Sequence, residues 1–309
     1  MALLFASTAD DPELWRRELG RRLPGLEIRV HPEIGDPADI DLALVWLPPP
    51  GLLASLPNLK AILSLGAGVD AMLDDPTLPA DLPLCRLVDP SLTATMSEYV
   101  LLHVLKYHRM QDLFARDQRE RRWQLRLPAP ASSTRVGILG LGVLGTDAAR
   151  VLAGHGFSLR GWSRSQKQLD GVACFAGPAQ LPAFLAQTDI LVCLLPLTAE
   201  TTGILDRDLF ARLPKGARLV HVGRGAQLVE EDLLDALDRG QLGGATVDVF
   251  VQEPLPPEHP FWAHPAIDIT PHAASYSDPA VGADVIAENI RRFFDGRPLQ
   301  HVVDRARGY

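Results

Sequence analysis

Arg135-Val136-Gly137-Ile138-Leu139-Gly140-Leu141-Gly142-Val143-Leu144-Gly145 is the stretch on which the fold turns. Residues 135–139 read as a β-strand, and the run that follows, through Arg150 to His155, reads as a helix. Between them lies G-x-G-x-x-G, in the strand-then-helix setting that a dinucleotide-binding turn requires. Gly140 allows the tight turn, Gly142 lets the backbone approach a pyrophosphate, and Gly145 lets the helix pack closely on the strand. The helix N-terminus then faces the anion, so Val143 and Leu144 are counted with the glycines as one site.

Working towards the C-terminus, further strands are predicted at 158–162, 190–195, 217–222, 245–249 and 267–270. With 135–139 they make six, the complement of a complete dinucleotide-binding unit. Working towards the N-terminus, shorter β-type runs at 3–6, 26–30, 42–46 and 61–65 alternate with helical ones, one of which opens at Asp11-Pro12 with a capping residue and a first-turn proline. Thr95–Met110 reads as a helix joining the two halves. A last helical stretch, 278–294, returns after the second unit is complete, so its apolar face is expected to pack on the first. The fold class is therefore α/β, with two doubly wound parallel sheets. One is a Rossmann domain over 98–273; the other is a discontinuous, flavodoxin-like domain over 1–97 plus 274–309.

The place about 20 residues beyond the glycines, where an NAD site carries a carboxylate for the ribose 2′-hydroxyl, holds Trp162-Ser163-Arg164-Ser165, with Lys167 close behind. A guanidinium grips a phosphate bidentately and a carboxylate would repel it, so Ser163, Arg164, Ser165 and Lys167 favour NADPH over NADH.

Composition narrows the function classes. The chain has 309 residues, 47% of them hydrophobic and 22% charged, which is globular rather than disordered. A formal net charge of -8 repels nucleic acid and anionic lipid, so neither is expected as a partner. The basic run Arg116–Arg126, with Trp123 inside it, reads as a solvated face. Cys85, Cys174 and Cys193 stand apart, without metal-ligand spacing, and read as small buried residues; no metal is expected. The apolar start, residues 1–6, is too short for a secretory core and no run spans a membrane, so the expected location is the cytoplasm.

Reduction of a keto acid needs a cation for the carboxylate, a proton donor at the carbonyl oxygen, and a group that keeps the donor charged. Arg224 in His221-Val222-Gly223-Arg224-Gly225 follows the fourth predicted strand, Glu253 in Gln252-Glu253-Pro254-Leu255-Pro256 the fifth, and His272 in Pro271-His272-Ala273-Ala274 the sixth. In an open α/β sheet, ligands sit at the strands' carboxyl ends, where these three residues would meet. His31, His103, His108, His155, His259 and His264 lie on the joining helix or near loops and helix ends and read as structural or solvated; Asp89, Glu98, Glu230 and Glu231 read as caps or surface charges.

In this order, the glycine motif and the V-G-R-G, Q-E-P-L-P and P-H-A-A segments resemble the D-isomer-specific 2-hydroxyacid dehydrogenases over nearly the whole chain. Within that family, the W-S-R-S segment and E-P-L-P-P-E followed by Trp262 are most similar to the glyoxylate/hydroxypyruvate reductase A group. The resemblance implies that Arg224 binds the substrate carboxylate and polarises its carbonyl, that His272 donates the proton, and that Glu253 holds His272 protonated. It further implies that Leu195, Pro196 and Thr201 border the adenosine and ribose, and that Asp248 meets the nicotinamide amide. Val222, Gly223, Arg224 and His272 are counted at the cofactor as well. In the first domain, Gly66, Ala67 and Gly68 resemble a loop whose N–H groups receive the carboxylate, and Trp46 a residue set against the small substrate. A homodimer formed through the joining-helix region is implied too. His221 departs from the asparagine usual in the wider family.

The expected activity is NADPH-preferring reduction of glyoxylate or hydroxypyruvate to a D-2-hydroxy acid, with reduction falling as His272 loses its proton at rising pH. Two alternatives stay open on the residues: a larger acid such as phenylpyruvate, or a non-catalytic protein that senses NAD(P)H.

Overall fold

The computed structural model describes residues 2–308. The chain forms two compact units, Met1–Leu92 with Tyr276–Tyr309, and Thr93–Ser275.

In the first unit the elements are β1 (Ala2–Ser7), α1 (Pro12–Arg22), β2 (Glu27–Val30), β3 (Ile40–Trp46), β4 (Ala61–Ser64), α2 (Asp70–Leu73) and β5 (Leu84–Cys85). All pair in parallel in the order β2-β1-β3-β4-β5. The two-residue β5 lies outside the expected strands; a strand that short carries no alternation to read. Asp11 caps α1 by accepting from the Glu13 N–H at 2.9 Å. The returning helix α9 (Pro279–Phe294), capped by Asp278, buries Ala283, Ile286, Ala287 and Ile290 with Trp15 and Leu19 of α1. Its apolar stripe thus lies on the first unit, as its pattern required.

The second unit begins within α3 (Pro90–His108), followed by α4 (Gln111–Arg119). Helix α3 starts earlier than Thr95. The buried Asp89 carboxylate accepts from the N–H groups of Ser91 and Leu92 at 2.8 and 3.0 Å, and Pro90 fits a first turn. The run 116–126 is largely a solvated face, with Arg116, Arg119, Arg121, Arg122 and Trp123 exposed. Asp117, buried at 2% exposure, pairs with Arg122 at 3.0 Å and Arg126 at 2.8 Å, so two of its cations fold back onto one interior carboxylate.

The sheet of this unit comprises β6 (Arg135–Leu139), β7 (Ser158–Ser163), β8 (Val172–Ala176), β9 (Ile190–Cys193), β10 (Ala217–His221), β11 (Leu242–Val247) and β12 (Ile267–Ile269). Helices α5 (Val143–Gly154), α6 (Gly177–Leu185), α7 (Arg207–Arg212) and α8 (Glu230–Asp238) complete it. Among the described residues seven parallel strands run in the order β12-β11-β10-β9-β6-β7-β8, one more than the six expected. The extra strand, β8, is a half-buried edge strand, and such a position does not demand the apolar run by which interior strands are recognised. Strand order reverses between β9 and β6, which places the ligand crevice of this sheet at the carboxyl end of β6. Cys193 is buried on β9, whereas Cys174, on the edge strand, is only half-buried.

Candidate active site

The glycine turn meets each steric demand of its motif. Gly140 follows β6 at φ +102, a conformation open to glycine, and a Cβ there would lie 2.7 Å from the Leu194 carbonyl oxygen. At Gly145 a Cβ would collide with the Gly140 carbonyl, so helix and turn close up only without one. A Cβ at Gly142 would meet nothing within 4 Å; that face is open space in front of the first turn of α5, which no side chain caps. Bare N–H groups at an uncapped helix start, with room before them, fit the pyrophosphate of a dinucleotide. At the end of β7, Arg164, Ser165 and Lys167 are exposed, while Ser163 is buried and its hydroxyl donates to the Ser165 carbonyl at 2.7 Å.

The loops after β10, β11 and β12 carry Arg224, Glu253 and His272. Glu253 Oε2 accepts from His272 Nδ1 at 2.8 Å, and its Oε1 accepts from the Phe250 N–H at 2.9 Å. Burial opposes charge on Glu253, yet these two bonds and the charges of His272 and Arg224 outweigh it and hold the carboxyl below its usual range. With Nδ1 given to the carboxylate, Nε2 is the ring atom left to give a proton outward.

His272 sits at φ +53, in the left-handed region, and Asp248 holds it there. The His272 N–H donates to the Asp248 carbonyl at 2.8 Å, and the Asp248 carboxylate accepts from Ala273 N–H at 2.8 Å, Ala274 N–H at 3.0 Å and the Thr270 hydroxyl at 2.5 Å. Since Thr270 donates to Asp248, it accepts from the Tyr99 hydroxyl, also at 2.5 Å. Burial raises the Asp248 carboxyl above its usual range against the pull of those donors and of His272. Asp248, expected at the nicotinamide amide, therefore has a structural duty beneath His272. The Thr270 and Tyr99 contribution was not legible, because Tyr99 lies 171 positions from Thr270 in the chain.

Leu195 and Pro196 open a loop closed by Thr201, whose hydroxyl donates to the Pro196 carbonyl at 2.7 Å. Val222 is buried and its N–H donates to the Cys193 carbonyl at 3.2 Å, while a Cβ on Gly223 would strike the side chain of Gln227. Two of the other histidines have acid partners that the sequence reading did not assign: Glu230 for His259 at 3.1 Å and Asp238 for His264 at 3.4 Å. His103 is buried on α3, accepting or donating at Thr246, and desolvation first, then Lys106, pushes it down to about 4. Among the described residues there is no metal-ligand cluster and no helix long and apolar enough to cross a membrane.

In the first unit, the Gly66 N–H donates to the Ser64 hydroxyl at 3.1 Å and its carbonyl accepts from Leu87 N–H at 2.9 Å. The half-buried Trp46 indole lies directly over Gly66, and all three atoms nearest to a Cβ built there belong to that ring. Glycine at 66 therefore seats the tryptophan, in addition to any approach of the loop to a ligand. Ala67 and Gly68 follow, half-buried.

Residues 101–274 match the family model described as D-isomer specific 2-hydroxyacid dehydrogenase, NAD binding domain. The chain belongs to the D-isomer specific 2-hydroxyacid dehydrogenase family. Over the full length of both chains it is 45% identical to glyoxylate/hydroxypyruvate reductase A of Yersinia enterocolitica and 46% identical to the protein of that name from Serratia proteamaculans. Among solved structures, a D-isomer specific 2-hydroxyacid dehydrogenase from Xanthobacter autotrophicus Py2, in complex with NADPH and MES, superposes with a TM-score of 0.96 at 46% identity, covering 100% of this chain and 99% of that one. The NADPH-dependent glyoxylate/hydroxypyruvate reductase of Sinorhizobium meliloti, in complex with NADP and sulfate, gives 0.93 at 41% identity with both chains fully covered. Membership makes the second unit of this dehydrogenase an NAD(P)-binding domain and the protein an oxidoreductase.

Proposed function

We propose that this dehydrogenase reduces small 2-keto acids, glyoxylate and hydroxypyruvate, to D-2-hydroxy acids, with NADPH preferred over NADH. The observation that carries the reading is the His272–Glu253 pair, set beside the Arg224 loop at the carboxyl edge of a sheet whose glycine turn fits a dinucleotide. The names of the Yersinia and Sinorhizobium proteins support the substrate, and the NADPH and NADP in the solved relatives support the cofactor.

In this reading Gly140, Gly142, Val143, Leu144 and Gly145 hold the pyrophosphate. Arg164, Ser165 and Lys167 face the 2′-phosphate, and Leu195, Pro196 and Thr201 border the adenosine side. The bound nicotinamide supplies the hydride for the keto carbon. Arg224 engages the substrate carboxylate and draws charge towards the carbonyl oxygen. His272 delivers its Nε2 proton to that oxygen, and Glu253 steadies the imidazolium through Nδ1. Trp46, Gly66, Ala67 and Gly68 are assigned to the substrate. We place the protein in the cytoplasm as a homodimer; Leu102 on the joining helix, and Trp123, Leu125 and Leu127 beyond it, are large apolar side chains left exposed on the single chain.

The test is loss of 340 nm absorbance with NADPH or NADH over a panel of glyoxylate, hydroxypyruvate, pyruvate and phenylpyruvate. Turnover best with NADPH and the two small acids is expected. Preference for phenylpyruvate would reassign the substrate, and tight NAD(P)H binding without turnover on any acid would make the protein a sensor.

Two substitutions refine this assay. Arg164→Asp replaces an exposed cation with a charge that repels a phosphate, so KM for NADPH should rise about 10- to 100-fold while that for NADH changes little. Equal effects on both cofactors would remove Arg164 from the 2′-phosphate. Gly66→Ala forces the Trp46 ring from its seat, so kcat/KM for glyoxylate should fall by about tenfold or more relative to phenylpyruvate. An unchanged ratio would detach Trp46 from substrate choice.

A further inference from the structure

The peptide group of Arg224 is held on both sides by buried side chains. On one side, the Arg224 N–H donates to Gln227 Oε1 at 2.9 Å, and the same amide donates through Nε2 to the carbonyls of Leu195 at 3.0 Å and Pro196 at 2.9 Å. On the other side, His221 Nε2 lies 3.0 Å from the Arg224 carbonyl oxygen. A carbonyl only accepts, so Nε2 carries the ring proton and Nδ1 is bare. His221 and Gln227 are both 0% exposed, and Nδ1 of His221 is a buried nitrogen without a hydrogen-bond partner among the described residues. Keeping an unsatisfied nitrogen in the interior is unfavourable unless the ring's other contact is needed. The fit around the clamp is close: a Cβ at Gly223 would strike Gln227, and one at Gly225 would strike the Phe250 backbone, so the loop is confined on each flank. Desolvation above all keeps the imidazole neutral, down to about 4, leaving the Arg224 guanidinium as the cation of this loop.

We propose that His221 and Gln227 are positioning residues that clamp the Arg224 peptide, fixing the direction of its guanidinium towards the substrate carboxylate and tying it to the Leu195-Pro196 loop. The functional half of this inference rests on the reductase reading above; the mechanical half stands without it. Neither residue need touch substrate or cofactor. They act through Arg224, and a cation displaced by about an ångström loses its bidentate register with a carboxylate.

The experiment uses full-length His221→Leu, which fills the ring's space without a donor, and His221→Gln, which restores an N–H at a reach similar to Nε2. Backbone hydrogen exchange of a peptide spanning 221–228 is read first. Exchange about tenfold or more faster in His221→Leu, with return towards wild type in His221→Gln, is expected; unchanged exchange in His221→Leu overturns the clamp whether or not the protein turns over. On the small keto acids, His221→Leu should raise KM and lower kcat/KM by about 10- to 100-fold. Its NADPH affinity should stay within about twofold, and His221→Gln should recover most of the loss, which a merely structural role would not reproduce. Normal KM in a His221→Leu enzyme with a loosened loop removes the clamp from catalysis, and absent turnover in the wild type refutes the reductase reading while the exchange result still decides the clamp.

Discussion

Replacing His272 with asparagine is expected to lower kcat for keto-acid reduction by about 10²- to 10⁴-fold, the range for loss of a positioned general acid. Asparagine keeps a donor near the Nδ1 position, so the bond to Glu253 and the loop around it should survive, but it has no proton to release at the place of Nε2. NADPH affinity should therefore be preserved. The wild-type pH profile gives the second check. Glu253 is held below the usual carboxylate range, so its support for the imidazolium is fully present above the ordinary carboxylate value and is lost only as pH falls through the depressed one. Reduction should accordingly persist through mildly acidic conditions and, on the acid side, fall off only as pH drops through the depressed Glu253 value. A His272→Asn enzyme within about threefold of wild type would exclude His272 as the proton donor.

Arg224→Lys is the second large effect, expected at about 10³-fold in kcat/KM for the keto acid. Lysine keeps the charge, yet it is a point cation on a flexible stem, whereas the guanidinium presents a planar fork that matches a carboxylate. The loop around Arg224 is confined at Gly223 and Gly225, so it cannot shift to bring a shorter-reaching head group into register. Both KM and kcat should suffer, because the interaction with the carboxylate is present in the ground state and the pull on the carbonyl oxygen grows only as negative charge develops there. Steady-state kinetics with glyoxylate and hydroxypyruvate at saturating NADPH reads this directly. A lysine variant with normal kcat and a raised KM would confine Arg224 to substrate binding.

Local features were legible where one residue type answers one physical demand. The glycines at 140 and 145 stand where a positive φ and a close helix approach leave no room for Cβ, and proline after Asp11 marks a helix start. Interior strands announce themselves because both faces are covered and the run is nearly continuous in apolar residues. The half-buried β8 and the two-residue β5 have no such requirement, and they escape a reading by pattern for that reason. Arg224, Glu253 and His272 were nameable because three strand ends carried charged or titratable residues at the edge where a parallel sheet binds ligands.

What the amino-acid sequence determined by itself is thus the parallel α/β architecture, the dinucleotide turn and the identity of the residues set at the sheet's carboxyl edge, since each depends on neighbours a few positions apart. What only the tertiary structure decided is how those residues are held. Thr270 and Tyr99 meet under Asp248, Gln227 reaches across to Leu195, the Trp46 ring rests on Gly66, and Asp117 draws in Arg122 and Arg126. Hydrogen bonds of this kind satisfy buried polar groups wherever the packed chain happens to bring a partner. Most join segments far apart in sequence, and even the nearer ones depend on a loop geometry that neither periodicity nor motif spacing encodes.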